Sequence, residues 1–542
     1  MKISTTLLTA LACASLTVAS VARAEVSAEE RSLNELRNTV VNLLQALVEK
    51  GVVTRDQAQA LVKQAQDKAA ADAAAAAKVA EGEAGAVRVT HVPDVVKQEI
   101  SDEVAREVKP QVVNEVLATA REEKWGVPGA LPEWIGKVKI VGDVRVREQY
   151  DNFSNDNAPN TYLDFNTVNA KGGIGKAGTA ALLNTTEDRA RLRARARLGV
   201  DVDVAEGLHA GIRVATGNLN EPISTNATLA STFGRYTIGL DRAFIRWDVK
   251  GEYGDPWLTL SGGKMPSPWF STDLLYDEDL SFDGVAGTFR WHPMRTEANE
   301  RFVFFTLGAF PIKEVELSNN DKWLTGAQLG VNWRFDNDIR LIFASAIYDY
   351  ENTVGIRNDP DSNLLDYTAP DFMQRGNTLY DIRNDTDTST NLFALAADYT
   401  IVDVAASLEV PIGGGYRFGF NADYVHNIAF DQQDILARTG LLIDKRVDGY
   451  QGEIALMRST YSLPGGFRVF VGYRYLEADA VLDALTDSDF RLGGTDVQGY
   501  YVGGYLGMTR NTWLRLRLLS GHEIDGPPFA VDVWQLDFNA LF

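Results

Sequence analysis

Residues Asp188 to Val204 read DRARLRARARLGVDVDV, so Arg189, Arg191, Arg193, Arg195 and Arg197 stand two apart with only Ala and Leu between them. A period of two marks an extended strand whose side chains point alternately to opposite faces. The even positions, Ala190, Leu192, Ala194, Ala196, Leu198, Val200, Val202 and Val204, are wholly apolar, while the odd ones run from arginine into Asp201 and Asp203. At about 3.3 Å per residue the run is roughly 56 Å long, well beyond the usual strand of about 5 to 6 residues in soluble proteins. An arginine aimed at lipid costs about 2 to 4 kcal/mol at the bilayer midplane. Three of the five would cost on the order of 6 to 12 kcal/mol, comparable with the net stability of a whole domain. The arginines are therefore expected to line the inside of a closed sheet. That inside is expected to be wet, since a dry interior would need a buried partner for every charge. Arg145 and Arg147, Arg242 and Arg246, and Arg515 and Arg517 occupy alternate positions on other expected strands and are placed on the same wall.

The start of the chain has the form of an export signal, with Met1-Lys2, an apolar run from Leu7 to Val21 and an Ala22-Arg23-Ala24 cleavage site. Residues 1–24 are read as that signal. The only cysteine, Cys13, falls inside it, which leaves the mature chain without disulfides or thiolate metal sites. Removing Lys2 and Arg23 takes the formal charge from -21 to -21 - 2 = -23, which argues against nucleic acid as the main partner. No later window reaches the roughly 18 uninterrupted apolar residues of a spanning helix, so a membrane would have to be crossed by strands.

Residues 25–135 are read as a periplasmic helical segment. Leu36, Val40, Leu43, Leu44 and Leu47 form one stripe, and Thr54 and Gln57 have capping-box spacing before a second helix carrying Ala58, Leu61 and Val62. An alanine-rich and glycine-rich connector, Ala70 to Ala86, leads to Val92, Val96, Ile100, Val104, Val108, Val112 and Val116, a coiled-coil-like seam that Pro110 should kink. Such a seam suits a homotrimer, or a helix that contacts the cell wall.

From residue 136 to 542 the period is two throughout. Tyr416, Phe418, Phe420, Ala422 and Tyr424 oppose Arg417, Gly419, Asn421 and Asp423; Phe467, Val469, Val471, Tyr473 and Tyr475 oppose Arg468 and Arg474. About sixteen such segments follow, with 14 or 18 as alternatives, each near the length a tilted membrane strand needs. Short and long connections alternate, the longest being roughly Asp151 to Glu187 and Glu351 to Asn391. The expected fold is thus an all-β transmembrane antiparallel outer-membrane barrel, preceded by the α-helical segment. An even strand count puts both barrel ends on the inner side. Trp247, Trp257, Trp291, Trp333 and Trp513 flank the short turns and are expected in an interfacial aromatic girdle. Between the fifth and sixth strands, PSPWFSTDLLYDEDLSF carries Asp273, Asp277, Glu278 and Asp279, followed by Asp283. As the third outer loop it is expected to fold inward against the arginines and form a constriction with a transverse field.

Several blocks carry a family resemblance: LVEKGVVTRDQAQALV, WGVPGALPEWIGKVKIVGDVRVREQY, RARLRARARLGV, PISTNATL, GKMPSPWFSTDLLYDEDLSFDGVA and YRYLEADAVLDALTDSDFRLGGTDVQGY. In these the chain resembles the family named Putative porin, large barrels of Gram-negative outer membranes preceded by a helical periplasmic segment. The resemblance covers nearly the whole mature chain and implies an outer-membrane channel with no assigned solute. Trp534, Phe538 and the terminal Phe542 alternate in register in the last strand, similar to the insertion signal read by the barrel-assembly machinery. The expected function is passive diffusion of small hydrophilic solutes or ions, with no cofactor and no metal. The lumen arginines favour anions, whereas the net charge and third loop favour cations; at the constriction the expectation leans to anions. One alternative is an outer-membrane tether or adhesin. Another is a barrel hydrolase, for which only His426 and His522 lie toward the outer end, and neither has a nucleophile pattern nearby.

Overall fold

The computed structural model describes residues 135–542 apart from 252–253, 294–299, 317 and 388. The expected signal peptide and nearly all of the expected helical segment lie outside the described residues. Sixteen strands form a closed barrel: β1 (Val138–Phe153), β2 (Arg189–Ala205), β3 (Leu208–Thr216), β4 (Ile238–Lys250), β5 (Pro256–Pro266), β6 (Ser281–Trp291), β7 (Arg301–Lys313), β8 (Lys322–Arg334), β9 (Arg340–Glu351), β10 (Tyr399–Gly413), β11 (Tyr416–Asn427), β12 (Asp448–Arg458), β13 (Phe467–Leu476), β14 (Val497–Thr509), β15 (Thr512–Glu523) and β16 (Ala530–Leu541). Each pairs antiparallel with its sequence neighbours, and the two-residue segment Ala227–Thr228 adds to the edge of β2. Closure comes from β1 on β16, in register from Asp143↔Leu541 to Phe153↔Val531. The terminal Phe542 extends the seam, exchanging two backbone hydrogen bonds of 2.9 Å with Gly142.

The connections sort by end, as the sequence implies. At one end they are as short as 206–207, 414–415 and 510–511; at the other they reach 154–188 and 352–398. The apolar face of every strand points outward. Ile140, Leu192, Leu198, Val471, Leu516 and Phe538 are each about half exposed, whereas Arg147, Gln328, Asp403 and Asp537 on the inner face are buried. This inverts the arrangement of a soluble protein and places hydrocarbon-compatible side chains where lipid lies.

The buried apolar core sits inside the outer half of the barrel, where the third outer loop (267–280) packs on the wall. Trp269 stands edge-on to Tyr348 with ring centres 5.2 Å apart and to Phe310 at 6.0 Å; Tyr276 meets Tyr348 and Phe282 in the same manner. Trp269 fits because its seat has no side chains. Gly308 on β7 and Gly326 on β8 are direct cross-strand partners. A Cβ at either would lie 2.9 and 3.1 Å from the indole, and that at Gly326 also 2.8 Å from Tyr348.

One aromatic expectation is corrected. Trp247, Trp257 and Trp291 are exposed on the outer face beside the short turns. Trp513, however, shares the inner face of β15 with Arg515 and packs against Tyr461 of a short turn, so it is no part of a lipid-facing girdle. The physical reason is strand parity: its neighbours Leu514 and Leu516 take the lipid side.

Two outcomes test this architecture. Leu516→Arg is expected to lower stability by about 2 to 4 kcal/mol in urea unfolding from lipid vesicles, while Arg515→Leu should leave membrane insertion intact. Gly326→Val is expected to unseat Trp269 at a cost of about 1 to 3 kcal/mol, read as a lower melting temperature and greater protease access to 267–280.

Candidate functional site

Strand register brings the charged inner faces of β15, β16, β1 and β2 into aligned rows. Trp513, Asn539, Arg145 and Arg195 share one row; Arg515, Asp537, Arg147 and Arg193 the next; Arg517, Gln535, Gln149 and Arg191 the third. Like charges therefore sit directly opposite one another at Arg145↔Arg195 and Arg147↔Arg193, an arrangement that is destabilising unless anions intervene.

Carboxylates do intervene. Asp537 takes a two-pronged bond from Arg147, at 2.7 Å from Nε and 3.0 Å from the second terminal nitrogen. Asp143 on β1 receives Arg195 at 3.0 Å and Arg197 at 2.6 Å; Asp151 receives Arg191 at 2.6 Å. The expected open, wet arginine wall is thus corrected over much of its length: Arg147, Arg191, Arg195 and Arg197 find partners within the protein, which is how charges tolerate burial. Among the described residues the side-chain hydrogen-bond partner of Arg193 is Gln149, at 3.3 Å, and that of Arg145 is Asn226, at 2.6 Å, neither of them a carboxylate. Arg242 donates to Ser281 at 3.2 Å, Arg246 pairs with Asp248 at 3.0 Å, and Arg189 is exposed at the outer end of β2.

The third outer loop crosses the interior. Asp279 lies 3.4 Å from Arg195 and 3.0 Å from Arg197, and also accepts from the Thr225 hydroxyl at 2.9 Å. Asp273 reaches Arg474 on β13 at 2.9 Å, and Gln328 on β8 holds the Phe270 backbone at both its N–H (2.9 Å) and carbonyl (2.8 Å). One loop therefore bridges β2, β8 and β13. Glu278 is the exposed member, 3.9 Å from Arg515. Asp283 does not belong to this group. It lies on β6 opposite the buried Phe282 in strand alternation and pairs with Lys264 of β5 at 3.0 Å, because β6 begins two residues earlier than the acidic run suggests.

A second inward loop carries carboxylates that sequence reasoning did not assign. The seventh outer loop (477–496) sends Asp489 between Arg147, at 3.0 Å, and Arg517, while Asp487 meets Arg474 at 2.9 Å. The two loops are tied together by the Asp277 N–H on the Leu485 carbonyl (2.9 Å) and the Ser488 N–H on Asp277 (3.0 Å). The available signal was the run TDSDF, in which Asp487 and Asp489 stand two apart between two strands.

Burial raises every carboxyl here, and the neighbours decide the outcome. At Asp279 burial is outweighed by Arg195 and Arg197, and at Asp489 by Arg147 and Arg517, so both are held below the usual carboxylate range. Asp277 is pushed up by burial and by Asp487 and Asp279, which outweigh the hydrogen bond it accepts from the Asp279 backbone N–H. Asp483, buried in the seventh loop, is raised to about 7 chiefly by burial.

His426 lies 2.8 Å from Asp448 and shares its face of β11 with the outward Tyr424. No serine hydroxyl is hydrogen-bonded to it among the described residues, and no group of residues there has the makings of a metal site.

A closed sixteen-stranded sheet, apolar outside and charged within, with long loops folded into one end, defines an outer-membrane β-barrel channel. The chain belongs to the family described as Putative porin, whose model matches residues 37–542. Members are channels of the outer membrane, not enzymes. Among solved structures the chain is similar to Pseudomonas putida OprB at 14% identity, covering 76% of this chain and 96% of that one with a TM-score of 0.43. It is also similar to the outer membrane channel DcaP of Acinetobacter baumannii, at 12% identity, 75% and 97% coverage and a TM-score of 0.39. Vibrio cholerae OmpT in its trimer form matches at 11% identity, 75% and 99% coverage and a TM-score of 0.38. A comparison with curated protein sequences finds no match.

The pH response follows from the opposed shifts. A carboxyl raised in the fold, such as Asp483, contributes stability at low pH that is lost as pH rises through about 7. Asp279 and Asp489 contribute stability present above the ordinary carboxylate value and lost as pH falls through their lowered values. Amide protection in residues 482–489, measured relative to the intrinsic exchange rate at each pH, is therefore expected to fall from pH 6 to pH 8. Asp483→Asn, which keeps the neutral form at all pH, should weaken that dependence.

Proposed function

We propose that this chain conducts small hydrophilic solutes and ions by passive diffusion through the barrel lumen, with the third and seventh outer loops forming the constriction. The observation that carries the reading is the bridge from Asp279 to Arg195 and Arg197 on one wall, continued through Asp273 to Arg474 on another. Charge pairing on this scale leaves little net potential along most of the ladder. Selectivity then falls to inward cations with no carboxylate hydrogen-bond partner among the described residues, such as Arg145, Arg193 and Arg242, and favours anions weakly. No cofactor or energy source enters. Assembly as a homotrimer, supported by the valine seam of the segment before the barrel, belongs to the same proposal and is checked by native mass spectrometry.

Reversal potential in a salt gradient across a planar bilayer tests the reading. Changing Arg191, Arg193 and Arg195 together to Ala is expected to move selectivity toward cations, and Asp489→Asn to move it toward anions by freeing Arg147 and Arg517. If the triple change altered neither selectivity nor conductance, these residues would not line the pathway.

A further inference from the structure

Glu148 stands on the lipid-facing parity of β1. Its neighbours on that face are Val146 and Tyr150 along the strand and Leu192 and Leu536 across it, four apolar side chains 41% to 49% exposed. Glu148 is exposed among them, and no cation or hydrogen-bond donor meets its carboxylate among the described residues. Two other outward acids are answered within the chain: Asp283 pairs with Lys264 at 3.0 Å, and Asp448 accepts from Tyr424 at 2.7 Å. A carboxylate left alone against hydrocarbon is costly, so it marks a surface that lipid does not simply cover.

The complementary charge stands on the second outer loop (217–237), where residues 230–238 are exposed in an unbroken run. Phe233 is fully exposed, and Thr232 and Phe233 take left-handed backbone angles of 51° and 61°, which β-branched and bulky residues adopt rarely. Arg235, two residues on, has neither an acid nor an acceptor among the described residues. The loop is rooted close to the depth of Glu148. The Leu229 N–H bonds the Leu192 carbonyl at 2.8 Å, and Leu192 is the direct cross-strand partner of Glu148. Two strand spacings of about 4.8 Å at a tilt of about 40° separate the two levels by roughly 6 Å, within the reach of an arginine side chain.

We infer that the lipid-side face of β1 and β2 is an interface with a second copy of this chain, in which Arg235 of one copy pairs with Glu148 of its neighbour and Phe233 packs beside that pair. Copies inserted in one direction are related by rotation about the membrane normal, and such a rotation leaves every residue at its own depth. A loop and a wall patch on the same side of the barrel and at matching depth therefore meet in a closed ring. The wall has room for the phenyl ring, because β2 presents Ala190, Ala194 and Ala196 there, opposite Tyr150, Val146 and Val144. Lipid leaves both charges unanswered; a second copy answers both at once. The interface gives a location to the assembly proposed above and rests on it.

The test uses the full chain in mild detergent, with oligomeric state read by native mass spectrometry. Glu148→Arg and Arg235→Glu are each expected to raise the monomer fraction at a given dilution by about tenfold, and the two changes together to restore the wild-type distribution. That rescue requires a folded barrel, so it separates a lost contact from a folding defect. Phe233→Gln should also raise the monomer fraction. A local readout comes from cysteines, since the one native cysteine, Cys13, lies in the expected export signal. Under mild oxidation the paired change Glu148→Cys with Arg235→Cys is expected to link copies covalently, and either change alone to link none. A wild type found only as single copies would overturn the assembly and the interface together. An oligomeric wild type whose paired cysteine variant gives no covalent product would overturn the interface alone, as would a Phe233 loop whose variants leave the oligomer unchanged because it faces lipid.

Discussion

In hydrocarbon there is no water to hydrogen-bond a free backbone N–H or carbonyl, so a sheet that spans a membrane has to close on itself. Here the closing seam is β1 against β16, extended to the last residue by the Gly142–Phe542 exchange. Once the sheet is closed, the pleat alone decides the rest: alternate residues meet lipid and their neighbours meet the interior. The arginine ladder can then exist only because it lies on the inner parity of β2.

Closure also sets the energetic problem that the interior solves. Rows of inward arginines on β1 and β2 stand directly opposite one another and would repel. The protein answers with acids from three sources: strand residues Asp143, Asp151 and Asp537, the third loop's Asp279, and the seventh loop's Asp489. Loops that reach in to neutralise charge also fill part of the interior, so the same contacts that balance the ladder hold the loops inside the barrel. The aromatic seat of Trp269 on Gly308 and Gly326 holds the third loop in place on the opposite wall.

The partition of charge matters more than its sum. A chain with formal charge -21 presents, at this level of the interior, acid and arginine pairs that largely cancel.

Period-two alternation made the barrel legible from the sequence, because side-chain parity is a local property: the inner placement of Arg193 and the outer placement of Leu192 follow from neighbours in the chain. Strand number and the sorting of short and long connections were legible for the same reason. The inward fold of the third loop was also expected, since its acids had an obvious counterpart in the ladder. Trp513 and Asp283 were expected in the wrong places, and the acids of the seventh loop were not assigned from the sequence at all. A one-residue error of strand boundary or parity sends a side chain to the other face, and the contacts of Asp489 with Arg147 span hundreds of residues. The sequence by itself determined which face of each strand is charged. Only the tertiary structure decided which acid neutralises which arginine, because that depends on register between strands and on loops returning through the interior, and neither leaves a mark in local spacing.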